Sequence, residues 1–374
     1  MLKLETVICE LNPIHHGHAY VISRAKAESD VCAAVLSGNF VQRGEPAAFD
    51  KYVRAHAAVL AGADFVTELP FPWCASGAES FALGGVTIAH GIGSAGLTFG
   101  SESGNTEYIE TIADVKSSPE FAERYAETEA LFREKGSAAV FDETLRHFGI
   151  TEMPGANDKL GAEYIRFGRE CGLSHTAVKR LKEMKSATAL RSMDFADCAP
   201  FMPEASFEFL RTAARTDYAA FADVLFRHAR LYLRGAEHPV LQIAAKKARD
   251  CTDGEEFLRN IATKKYTAAR MRRELLFSLT GVRAEWLKLP PPYTILLAAN
   301  ERGRRYLSET RKTRTFPVLT KPADFAAADE KSAEIRRCHA FADELFCLIN
   351  GLPADTFMKR HPVMVPEHRT DHRC

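Results

Sequence analysis

The chain has 374 residues, of which 46% are apolar and 26% charged, and its formal net charge is zero. That composition excludes a disordered chain, and no apolar run reaches the roughly 18 residues a membrane helix needs. Nine cysteines are scattered without a C-x-x-C pair, which argues against a disulfide framework or a cysteine-bound metal.

The first hundred residues alternate in βα fashion. Residues 4–10 read as a strand and 18–29 as a helix. Residues 31–37 form a second apolar run, and 50–61 have helical spacing with Asp50 as the N-cap. A third strand is expected at 64–69, a Gly-containing helix at 78–89, and a fourth strand at 96–99. Strands separated by helices imply a Rossmann-like parallel sheet, with ligands at the carboxyl ends of its strands. Residues 105–148 are Glu-rich with helical spacing. Another helix is expected at 157–169, a last strand at 175–181, and a helix opening at 186–191. Irregular sequence at 194–204 marks a domain boundary, giving units of 1–195 and 196–374. The second unit reads as mostly helical, with helices at 207–234, 241–250, 255–262, 267–280 and 330–350. A short apolar run at 294–298 follows three prolines, and the polar tail from His361 is expected to fray.

The zero net charge averages two opposite halves. Residues 1–150 hold 11 basic against 20 acidic side chains, and residues 151–374 hold 38 against 29. Residues 259–321 alone carry 15 basic and 4 acidic residues. The basic half is expected to meet a polyanion, nucleic acid before a merely solvated helix surface.

Three segments carry candidate chemistry. Asn12-Pro13-Ile14-His15-His16-Gly17-His18 joins the first strand to the first helix. A histidine pair at a helix start can donate to phosphate oxygens, with help from free backbone N–H groups, and Gly17 would let the backbone approach the ligand. Ser37 to Pro46 is a long polar loop in which Arg43 can grip a carboxylate or phosphate, or merely pair with Glu45 on the surface. Lys179-Arg180 and Ser186-Ala187-Thr188-Ala189-Leu190-Arg191 form a second phosphate-binding candidate; a plain N-capping serine explains Ser186 alone. Two strand ends add Glu68, to orient substrate or a metal or to cap a helix, and Gly100, where adenosine can lie against the backbone or the chain simply turns.

These residues resemble known signatures. H-x-G-H is similar to the motif of nucleotidyltransferases shared with class I aminoacyl-tRNA synthetases, and 186–191 resembles the element that closes their triphosphate site. With Gln42-Arg43-Gly44-Glu45-Pro46-Ala47, Lys51-Tyr52-Val53-Arg54, Phe99-Gly100-Ser101-Glu102 and Asn157-Asp158-Lys159-Leu160, the chain resembles the bacterial tRNA(Met) cytidine acetate ligase family over most of its length. The resemblance implies an ATP-dependent ligase that forms acetyl-adenylate from acetate. It then passes the acetyl group to N4 of the wobble cytidine of elongator tRNA(Met), giving N4-acetylcytidine. By position the ATP site comprises Val7, Ile8, Cys9, Glu10, Leu11, Asn12, Pro13, Ile14, His15, His16, Gly17, His18, Ala19, Tyr20, Gly100, Asn157 and Arg180. His15, His18, Arg43, Ser186 and Arg191 are the expected catalytic set. Mg²⁺ accompanies ATP, and no protein-held metal site is read. The basic half is expected to bind tRNA, with Tyr266, Trp286 or Tyr293 either stacking on an unpaired base or packing in the core. A cytoplasmic protein with no membrane partner is expected. A small-metabolite adenylyltransferase and a non-catalytic RNA-binding relative are the alternatives.

Overall fold

The computed structural model describes residues 2–132, 134–181, 184–314, 316–326 and 329–366. Its framework is a mostly parallel sheet wrapped by helices. The chain runs β1 (Leu4–Cys9), α1 (His16–Ala27), β2 (Val31–Ser37), a short hairpin of β3 (Phe40–Val41) and β4 (Glu45–Pro46), then α2 (Lys51–Leu60) and β5 (Phe65–Leu69). It continues with α3 (Ala78–Gly91), β6 (Gly96–Ser101), α4 (Thr106–Ser117), α5 (Pro119–Leu131), α6 (Ser137–His147), α7 (Ala156–Glu170) and β7 (Ser174–Lys179). The parallel strands lie in the order β5-β2-β1-β6-β7. Every residue of β2 is buried, as a central parallel strand covered on both faces must be. The strand order reverses between β1 and β6, which opens a crevice at their carboxyl ends.

The second half of the chain is mostly helical and returns to the same sheet. After α8 (Ala187–Arg191) come α9 (Glu204–Leu210), α10 (Tyr218–Tyr232), α11 (Pro239–Asp250), α12 (Gly254–Asn260) and α13 (Ala268–Thr280). Then β8 (Thr294–Ala299) pairs antiparallel with β5, followed by α14 (Glu301–Glu309), β9 (Val318–Leu319), α15 (Glu330–Ile349) and β10 (Val363–Met364). Both β9 and β10 pair with β8. Residues on either side of 195/196 therefore share one sheet. The tail from His361 supplies β10 before leaving the described residues at 366.

Three elements differ from the sequence pattern. The single helix expected at 207–234 is broken into α9 and α10. Thr216 draws the chain inward by donating its backbone N–H to Ala48 O at 3.0 Å and its hydroxyl to Ala47 O at 2.5 Å. Asp217 then caps α10 through Ala220 N. The loop after β2, which has no periodicity, is ordered by burial of Phe40 instead. Its ring meets Phe71, Phe221 and Phe346, with centroids 5.9 to 6.3 Å apart, so the segment after β5, α10 and α15 converge on it. A buried phenylalanine contributes roughly 1.5–3 kcal/mol. Lastly, α14 is absent from the sequence reading, although Asn300 caps it by accepting Gly303 N–H at 2.9 Å. No helix among the described residues is long and apolar enough to cross a membrane.

Candidate active site

A cavity of about 340 Å³ opens at the crevice between β1 and β6. The end of β1, the start of α1, the loop after β2, the end of β6, the start of α7, Lys179, Arg180 and Leu181 around the end of β7, and Met184, Ser186 and Ala187 leading into α8 line it. Of the expected site residues, Val7, Ile8, Cys9, Glu10, Leu11, His15, Gly17, His18, Tyr20, Arg43, Gly100, Asn157, Arg180 and Ser186 converge there. Asn12, Pro13, Ile14, His16, Ala19 and Arg191 fall outside the lining. Asn12 is buried behind the turn and accepts Ala48 N–H at 2.7 Å, while Ile14 packs in the core. His16 points to solvent. Arg191 is drawn away to the backbone of the turn, donating to Asn12 O at 2.7 Å and pairing with Glu45 at 3.5 Å. Glu45 also pairs with Arg272 at 3.2 Å, not with Arg43, whose side chain is left exposed at the mouth.

The two histidines form one unit. Their rings stack with centroids 3.8 Å apart and planes 23° from parallel. His15 is the N-cap of α1, and its Nδ1 accepts the Gly17 N–H at 3.0 Å, so the ring proton sits on Nε2. Gly17 has a further role: a Cβ there would lie 2.8 Å from His15 Cε1, so glycine makes room for the capping ring. Burial, reinforced by Arg180 and His16, pushes His15 down to about 4. Burial, His15 and Arg180 push His18 well below the usual imidazole range. Both rings are neutral at pH 7, each presenting one N–H donor. His18 Nδ1 and the Gln42 amide nitrogen are buried without partners among the described residues, which suits an anion with several acceptor oxygens.

The opposite wall is held by a reciprocal clasp. Glu102 accepts the backbone N–H groups of Asn157 and Asp158 at the start of α7, at 3.0 Å each. Asp158 in turn accepts the Ser101 hydroxyl and, at 3.1 Å, the backbone N–H groups of Glu102 and Ser103. Gly100 sits beside this clasp, and a Cβ there would meet nothing closer than Val21 at 3.6 Å. The protein itself does not require glycine at that position. Ser186 uses its hydroxyl to cap α8 through Ala189 N at 3.2 Å, the plainer of its two sequence readings.

The loop that carries Gln42 and Arg43 is pinned from three directions. Arg272 Nε donates to Arg43 O at 3.2 Å, and Arg273 Nη1 to Gln42 O at 3.1 Å. Gly44 has φ +68°, and a Cβ on it would sit 2.6 Å from Arg273 N, so α13 can approach only a glycine. Arg54, fully buried, spreads its guanidinium over the carbonyls of Glu10, Ser37, Gly38 and Phe49. Asn39 donates to Asp343 on α15 at 2.9 Å.

Glu68, which the sequence offers as a group to orient substrate or a metal or to cap a helix, lies outside the cavity lining. It is fully buried beneath the loop in a network with Lys51, His339 and Asp343. Lys51 Nζ lies 2.9 Å from both Glu68 oxygens and 2.8 Å from Asp343 Oδ2, and His339 Nε2 lies 3.0 Å from Glu68 Oε1. Glu68, His339 and Asp343 group their donor atoms closely enough for a metal, but the Lys51 ammonium already sits between the two carboxylates as their shared cation. Trp286 is buried and Tyr293 donates to or accepts from His339 Nδ1 at 2.8 Å, so both are core residues. Tyr266 is half-buried between Lys265 and Arg270.

The family model of HIGH Nucleotidyl Transferase matches residues 2–356. The tRNA(Met) cytidine acetate ligase of Exiguobacterium sibiricum is 33% identical, over 85% of this chain and 89% of that protein. The protein of the same name from Levilactobacillus brevis is 28% identical over 98% of this chain and 99% of its own length. The crystal structure of Thermotoga maritima TmcAL bound with alpha-thio ATP superposes with a TM-score of 0.87 at 26% identity, covering 97% of this chain and all of that one.

Proposed function

Because the chain belongs to the tRNA(Met) cytidine acetate ligase family of HIGH nucleotidyl transferases, we propose that it activates acetate with ATP in the β1/β6 cavity. The resulting acetyl-adenylate gives its acetyl group to N4 of the wobble cytidine of elongator tRNA(Met). The observation that carries this reading is the stacked, neutral His15–His18 pair facing Arg180 and Gly100 across one cavity.

Acetate is a poor electrophile because its two oxygens share the charge, and adenylation supplies a leaving group. In the first step the acetate oxygen attacks the α-phosphorus. The His15 and His18 N–H groups, with Arg43 and Arg180 at the mouth, stabilise the charge that grows on the phosphate oxygens. Asn157 and Gly100 bound the end of the cavity that suits adenosine. Among the described residues Glu10 is the only carboxylate in the lining, too few to cage a metal. Mg²⁺ would therefore be carried by the phosphates and water, neutralising pyrophosphate as it leaves. Exposed Lys246, Arg249, Arg259, Lys264 and Lys265 on the helical half supply cations for an RNA backbone. The cytoplasm, where tRNA is found, is the proposed location.

The test is ATP–pyrophosphate exchange without RNA, followed by mass spectrometry of tRNA nucleosides. Exchange that requires acetate, and N4-acetylcytidine made from added tRNA, are the expected results. Exchange driven instead by a small metabolite, or none at all, rejects the reading. A second check addresses adenosine alone. Gly100→Ala folds with wild-type stability, because its Cβ has room, yet weakens ATP binding at least about tenfold by filling the ligand's space. Calorimetric titration beside a melting curve separates the two effects.

A further inference from the structure

Glu10 is the carboxylate of the cavity lining, among the described residues, and the adenylation step leaves it unused. It stands at the carboxyl end of β1, between His15 and the Gln42-Arg43 loop. Its Oε1 accepts the Gln42 N–H at 2.8 Å, which fixes the carboxylate plane. Among the described residues its second oxygen, Oε2, takes no hydrogen bond or ion pair, and the side chain borders the cavity. A carboxylate with one oxygen tied and the other free is oriented for proton transfer.

We propose that Glu10 Oε2 is the proton acceptor in the acetyl-transfer half-reaction, an assignment that rests on the proposed function above. The lone pair of the cytosine N4 amine attacks the acyl carbon of acetyl-adenylate, and a C–N bond forms. The bond from that carbon to the phosphate-bridging oxygen breaks, and AMP leaves with the electron pair. The proton lost from nitrogen goes to Glu10. The exocyclic amine is a weak nucleophile and becomes strongly acidic once acylated, so the base matters as the C–N bond closes.

The histidines are poorly placed for this task. His15 has its Nδ1 occupied and its Nε2 protonated, and burial holds both rings neutral and weakly basic. Burial moves Glu10 the other way, above the usual carboxylate range. The Gln42 N–H lowers it, Glu45 raises it, and Arg191 and Arg54 lower it. Cys9 and Tyr164 are its other titratable neighbours, and burial raises both of them, so they stay neutral. A carboxylate raised in this way is the stronger base.

The experiment uses preformed acetyl-adenylate and tRNA, with no ATP, in single-turnover transfer from pH 5 to 9. Wild-type transfer rises with pH along one limb and then levels. Glu10→Gln keeps an oxygen for Gln42 N–H but not the basicity; its transfer falls about 100-fold and the limb disappears. Glu10→Ala is equally slow and regains rate with added formate. Glu10→Gln transferring within about threefold of wild type with the limb intact, or Glu10→Ala gaining nothing from formate, overturns the assignment alone. Wild-type protein that transfers nothing overturns the proposed function and the assignment with it.

Discussion

Replacing His18 with alanine lowers acetate-dependent ATP–pyrophosphate exchange by about 10²–10³-fold and leaves the fold intact. The ring contributes little to stability, because its Nδ1 is buried without a partner among the described residues. What it offers is a neutral donor at the cavity, on a ring stacked against that of His15 with centroids 3.8 Å apart. His15→Ala behaves differently. It removes the same kind of donor and also the cap that accepts Gly17 N–H, so it costs about 0.5–2 kcal/mol of stability as well. The pH dependence follows from the direction of the shifts. His15 in the folded chain sits at about 4, below its ordinary 6.5, so the folded state binds fewer protons between those values. Stability from this group is complete above pH 6.5 and is lost as pH falls towards 4. For the same reason kcat/KM for ATP shows no imidazole limb near pH 6.5. Exchange in His18→Ala within a few-fold of wild type would mean that the phosphate charge is stabilised elsewhere.

The parallel sheet and most of the site were legible in the sequence because their signals are local. A strand, a tight turn and a capped helix appear in order around H-x-G-H, and β2, α2 and α3 start and stop at ordinary punctuation. What the sequence hid is of two kinds. The first is the use of a residue whose type was noticed. Gly17 makes room for a neighbouring ring, and Arg191 turns onto a carbonyl; each use depends on which atom lies nearest in three dimensions. The second is partnership across the chain. Nothing near Glu68 in sequence announces His339 or Asp343, 271 and 275 residues away. Phe40 in a polar loop gives no hint that α10 and α15 pack on it. The return of β8 to pair with β5 was visible only as an apolar run, since antiparallel addition to a distant edge leaves no local mark.

The other large effect concerns that hidden network. Lys51→Met destabilises the protein by about 3–5 kcal/mol at pH 7, because two buried carboxylates lose their shared cation. In the wild type burial pushes Glu68 up, but Lys51 and His339 overcome this and hold it at about 2. Its folded value is thus depressed below 4.5, so its stabilising contribution is present above pH 4.5 and fades as pH falls towards 2. The variant reverses that trend. With Lys51 gone, Glu68 takes up a proton more readily, so the stability gap to wild type narrows as pH drops below neutrality. Adding Asp343→Asn to Lys51→Met removes one of the two unpaired charges and leaves an oxygen to accept from Asn39. The double variant is therefore more stable than Lys51→Met alone, although Asp343→Asn by itself is destabilising. Urea unfolding at pH 7 and pH 5 measures all four states. The same substitution reaches the cavity through Asp343, which Lys51 Nζ holds at 2.8 Å and which accepts from Asn39 at 2.9 Å, so that Asn39 tethers the loop bearing Gln42 and Arg43 to α15. Loosening the tether raises KM for ATP more than it lowers kcat, whereas His18→Ala acts chiefly on kcat. Strict additivity in the double variant would mean that Lys51 and Asp343 do not sense one another, and the network could not then be what anchors the loop.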